Sequence, residues 1–205
     1  KLALETSAKT DNLELQTRTN FGYGFCHFLR GDFDEAIHYL GEGLRLAEQI
    51  GYVELQLMSV TYLAAAYRGA GRVEECQTCA ERALTLSERE GFLAYVAAAR
   101  ANLGWAAWRR SNLRQAKALS LSALEMWGAG YPFRWLALWT LIDLSLHSLR
   151  TDEALEYARK LKEPHQQIFE KEGDDLLIQA SSADVGNAAP LLAQALAWAK
   201  KRGYL

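Results

Sequence analysis

A chain of 205 residues can hold one large or two small domains, and 50% hydrophobic with 23% charged residues is the composition of a folded protein. A formal charge of −2, with acids and bases interleaved, gives no electrostatic case for nucleic acid or an anionic membrane. No run approaches the roughly 18 apolar residues of a membrane span, and three cysteines without a secretory leader point to a reducing, cytoplasmic compartment.

In chain order, residues 1–10 read as the remainder of a preceding second helix, and Asp11 as the N-cap of the next one. From there the sequence repeats itself every 40 residues. Gly31-Asp32-Phe33-Asp34-Glu35-Ala36 returns as Gly71-Arg72-Val73-Glu74-Glu75-Cys76 and as Ser111-Asn112-Leu113-Arg114-Gln115-Ala116. A slipped copy is Leu149-Arg150-Thr151-Asp152-Glu153-Ala154. A second marker keeps nearly the same beat: Ile50-Gly51-Tyr52, Glu90-Gly91-Phe92, Ala129-Gly130-Tyr131 and Arg202-Gly203-Tyr204. A period of this size means stacked supersecondary units, each too small to bury its own apolar face.

Residues 53–91 serve as the reference unit. Leu57, Val60, Leu63, Ala64 and Tyr67 stand at helical spacing, Gly69-Ala70-Gly71 breaks that helix, and Cys76, Cys79, Ala80, Ala83, Leu84 and Leu86 stripe a second one. Small residues recur where two helices must approach: Gly24, Ala64 and Gly104 in the first helix, then Ala36, Cys76, Ala116 and Ala154 in its partner. The pattern predicts antiparallel helix pairs at about 11–50, 51–90, 91–129 and 130–163. A degenerate fifth pair over 164–205 is predicted as a helix over 166–180 started by Pro164, a turn over 181–187, and a last helix opened by Pro190. The rhythm calls for another unit after Leu205, so the chain is expected to be one solenoid cut from a larger multidomain protein.

Residues with chemical potential form no complete set. Cys76 and Cys79 lack the further ligands of a zinc site, and Cys76 stands where other copies have alanine, so both read as core. Asp143 and His147, four apart on one helix face, can orient an imidazole but have no nucleophile beside them. Gly22/Gly24 and Gly69/Gly71 lack the strand and Lys-Ser/Thr of a phosphate loop. The expectation is no catalytic residues, no metal and no cofactor. Five of the six tryptophans fall between Trp105 and Trp139, a clustering beyond what packing asks.

The small and bulky residues at these spacings resemble the tetratricopeptide repeat. Leu103-Gly104 with Ala116, Ser120 and Ala123, and Leu63-Ala64 with Cys76, Ala80 and Ala83, follow its pattern across roughly residues 13–162. The period of 40 rather than about 34, and Glu48, Glu88 and Gly128 where the family closes each unit with proline, make this a long-repeat variant similar to arrays in large bacterial signalling proteins. The resemblance implies an all-α, right-handed solenoid whose first helices line a concave groove. On that reading the groove carries Phe21, Phe25, Phe28, Arg68, Trp105, Trp108, Arg109, Trp139, Asp143 and His147, whereas Trp127 and Trp135 pack in the core. An aromatic stripe at helical spacing also reads as core, and both readings stand for Trp105 and Trp108. The implied role is non-catalytic binding of a peptide, helix or partner domain, including a domain of the same polypeptide, with a small-molecule inducer as the alternative. No direct nucleic-acid or membrane contact is expected, and open array ends allow a homodimer.

Overall fold

The computed structural model describes residues 6–7, 9–128 and 130–205. Among the described residues it is helical without strands: α1 Leu13–Arg30, α2 Phe33–Gln49, α3 Val53–Gly69, α4 Val73–Glu90, α5 Leu93–Arg109, α6 Leu113–Met126, α7 Trp135–His147, α8 Thr151–Leu161, α9 Lys171–Ser182 and α10 Val185–Lys201. The expected partial helix over 1–10 falls largely outside these residues, although Thr6 and Ser7 are helical.

The 40-residue beat is a beat of helix ends. Gly31, Gly71, Ser111 and Leu149 hold left-handed φ values of 79°, 73°, 60° and 55°, and Gly51, Gly91 and Gly203 hold 67°, 76° and 78°. In each case the next residue's N–H reaches back over the turn. Asp32 donates to the His27 carbonyl at 3.0 Å, and Tyr52, Arg72, Phe92, Asn112, Arg150 and Tyr204 donate to Ala47, Tyr67, Ser87, Ala107, Ser145 and Ala199 at 2.9 Å. This six-residue closure satisfies carbonyls that a helix end otherwise strands. The slipped copy at Leu149 is therefore a true register position.

Two compact units divide the chain, Lys1–Ala99 and Arg100–Leu205, with the boundary inside α5. In the first, α1 packs on α2, α2 on α3 and α3 on α4, and α1 also meets α3. Each pair closes through its small residues: a Cβ on Gly24 would sit 2.8 Å from the Leu40 backbone nitrogen. Ala36, Leu40, Leu57, Val60, Ala64, Cys76 and Ala83 are fully buried. In the second unit α6 packs on α7, α7 on α8, and α10 meets α7, α8 and α9. A Cβ on Gly104 would lie 2.8 Å from Ser120 Oγ, and Ala116, Ala123 and Ala154 are fully buried.

Three boundaries differ from expectation. Asn12, not Asp11, caps α1, its side chain accepting from Leu15 N at 3.0 Å. The marker around Gly130 is no helix end, because α6 stops at Met126 and residues 127–134 connect it to α7; Ala129 lies outside the described residues. The ninth helix begins at Lys171 rather than at 166, since residues 166–169 are tied elsewhere. Gln167 N donates to Pro132 O at 3.1 Å, Gln166 Nε2 to Tyr131 O at 3.0 Å, and Phe169 is buried. The turn after α9 is correspondingly short, at Ala183 and Asp184, and Pro190 lies inside α10 instead of opening it.

Candidate functional site

In the second unit one buried carboxylate gathers three helices. Asp143 on α7 is 1% exposed. Its Oδ1 accepts from Lys200 Nζ of α10 at 2.9 Å, and its Oδ2 accepts from Trp108 Nε1 of α5 at 2.8 Å. One turn on, His147 Nδ1 lies 2.9 Å from the Asp143 carbonyl and 3.1 Å from Oδ2. Two acceptors at that nitrogen keep its proton there and leave Nε2 as the acceptor of the neutral ring. The Lys200 ammonium also stands over the Trp108 ring, 5.3 Å from its centroid. An ionised carboxylate buried this deeply requires such partners, since desolvation alone penalises it heavily.

Beside this hub opens a hollow of about 360 Å³ walled by Leu146, Ala193 and Leu196, with Asp143, His147 and Lys200 at its polar side. The helical period explains the arrangement: Asp143, Leu146 and His147 share one face of α7, and Ala193, Leu196 and Lys200 share one face of α10. Apolar walls with an ammonium and an accepting imidazole nitrogen at one side suit an apolar group that adjoins an acceptor for Lys200 or a donor for His147. Nothing in this set supplies a nucleophile with its base.

The first unit holds the other expected aromatics. Phe21 and Phe25 stack at 6.0 Å, and Tyr62 of α3 meets the Phe25 ring edge-on at 4.7 Å and Phe28 at 5.9 Å. Burial pushes the Tyr62 hydroxyl well above the usual phenol range. Phe21 and Phe25 remain part-exposed.

Of the ten expected groove residues, four are therefore corrected. Phe28, Arg68, Trp105 and Trp139 are 6%, 1%, 0% and 0% exposed and line no open surface. A helix in a stack is flanked on two sides, so the residue beside the packing line is also enclosed. Trp139 is covered by Phe169 and Trp198, at 5.8 and 6.3 Å, from the C-terminal segment. Burial lowers the Arg68 guanidinium to about 9. Arg109 is exposed, its guanidinium 5.3 Å above the Trp105 ring. Trp108, Asp143 and His147 are the residues the structure brings together. Lys200 was not anticipated, because it stands 57 residues from Asp143 in a pair whose repeat signature has decayed.

Cys76 and Cys79 behave as core side chains: burial pushes their thiols up to about 12 and about 11. Among the described residues no helix is long and apolar enough to cross a membrane.

Consecutive helix pairs closed through small residues, with the same left-handed turn after seven of the ten described helices, define a helical-repeat protein. Residues 56–129 match the family model of the tetratricopeptide repeat. Repeats of this family generally mediate protein–protein interactions and are typically non-catalytic. Comparison with curated proteins finds no match to the chain.

Proposed function

We propose that this chain is a non-catalytic interaction module of consecutive repeats over residues 1–205, holding a peptide, a helix or a partner domain. The partner's apolar side chain enters the hollow beside Asp143, where Lys200 meets an acceptor on it and His147 Nε2 a donor. Phe21 and Phe25 offer a second, aromatic contact in the first unit. What carries the reading is the Asp143 hub, which spends a buried carboxylate on ordering Trp108, His147 and Lys200 at the edge of an apolar recess. The setting we favour is a cytoplasmic bacterial signalling or transcription-regulatory protein. A second reading, a small-molecule inducer pocket, draws on the recess volume of about 360 Å³, within the usual range for small ligands.

Selection from a random peptide library against the 205-residue chain tests the first reading. Enriched peptides are expected to lose at least about tenfold in affinity for Leu146→Glu, which fills the recess with a carboxylate, while that variant melts within a few degrees of the parent. Peptides that bind both proteins equally, or no enrichment at all, would overturn it.

A further inference from the structure

A second hollow in the same unit, of about 410 Å³, lies across α6, the end of α7 and the start of α8. Its apolar wall is Leu113, Leu121 and Leu144, and three cations line it: Arg114, Lys117 and Arg150. One acid serves two of them. Glu153 Oε1 accepts from Lys117 Nζ at 3.0 Å, and its Oε2 lies 3.0 Å from Arg150 Nε. Partial burial works to raise the Glu153 carboxyl, yet Lys117 and Tyr157, which both donate to it, hold it below the usual range. Arg114 has no ion pair among the described residues. The hollow thus carries two uncompensated positive charges over an apolar wall, and the N-terminus of α6 adds its dipole with the same sign. The helices α2, α4 and α8 place acids in that first turn, whereas α6 places Arg114. A cation there opposes its own helix dipole, so it does not serve helix stability. Beside the hollow, Leu113 is 47% and Leu149 91% exposed.

We infer that this face docks an acidic amphipathic segment of a partner protein, its apolar residues on Leu113, Leu121 and Leu144 and its carboxylates on Arg114, Lys117 and Arg150. The complementarity is specific in sign: the whole chain is at −2, and the positive charge is local to this wall. The site is separate from the Asp143 recess, so either proposal can fail alone.

The test is fluorescence anisotropy with a labelled synthetic peptide of about sixteen residues, leucine at three-and-four spacing and glutamate between. Saturable binding is expected, weakened at least about tenfold by Arg114→Glu or by serine in place of the peptide's leucines, and unchanged by Leu146→Glu. Circular dichroism checks that Arg114→Glu keeps its helices, and Arg114→Gln stands in if it does not. The inference is overturned by the absence of saturable binding, by indifference to Arg114, or by a single-stranded oligonucleotide that displaces the peptide, which would make this a phosphate-reading face. Self-association abolished by Arg114→Glu, without peptide binding, would assign the surface to a second copy and overturn it equally.

Discussion

Leu149 performs with a side chain what glycine performs elsewhere in the chain. It holds φ at 55° and is 91% exposed, so its Cβ pays the left-handed penalty and its side chain recovers nothing by burial. Leu149→Gly is expected to raise stability by about 0.5–1 kcal/mol in a denaturant titration, after the entropy that glycine restores to the unfolded chain. Gly31→Ala, at φ 79°, is expected to cost about 1 kcal/mol in the same assay. Tryptophans call for a different division. Trp105 is fully enclosed, and Trp105→Ala is expected to cost about 3–5 kcal/mol as a large core truncation. Trp108 is only part-buried and donates to Asp143, so Trp108→Phe keeps an aromatic ring but removes one of the two donors facing Oδ2, at about 1–2 kcal/mol. Equal costs for Trp105→Ala and Trp108→Phe would mean that the hub, not the core, dominates at this end of α5.

The tenth helix tests how far element-level reasoning reaches. Pro190 is its sixth residue, beyond the first turn where a missing N–H is harmless, so Gly186 O loses its ladder donor. Pro190→Ala is expected to stabilise α10 by about 1–3 kcal/mol, visible as a higher melting temperature and slower exchange of the amides around residue 190. An unchanged melting temperature would show that tertiary packing had already absorbed the loss. The helix ends at Gly31, Gly51, Gly71 and Gly91 were legible in the sequence because a recurring marker writes them, whereas the same marker at Gly130 closes no helix. Gly24, Ala36, Cys76 and Ala116 were placed correctly by size alone. The last pair was legible only as two helices. Its boundaries depend on Gln166 and Gln167 bonding to the 131–132 backbone, a contact spanning more than thirty residues that no local pattern encodes. The Asp143 hub was half legible for the same reason: Asp143 and His147 share a helix face, but Lys200 reaches them by tertiary packing.

At the scale of the molecule, the question is whether the two compact units open together. Arrays whose repeats touch only their neighbours open in local segments, whereas a single cooperative globule opens as a whole. Cys76 is a built-in reporter for the first unit. It is fully buried and its thiol is pushed up to about 12, so it reacts with an alkylating agent near about pH 8 only after the surrounding helices part. Cys26, on the exposed side of α1, reacts from the folded state and calibrates the reagent. Leu57 and Leu177 are both fully buried, one in each unit, and truncation to alanine costs about 2–5 kcal/mol at such sites. At about tenfold per 1.4 kcal/mol, Leu57→Ala is expected to speed Cys76 alkylation by at least about 30-fold. Leu177→Ala, of equal cost to its own unit, is expected to change that rate by less than about threefold, because the opening it promotes does not include α4. Comparable acceleration by both substitutions, measured as the rate of mass gain at Cys76, would show one cooperative transition across both units and remove the division into separately opening units.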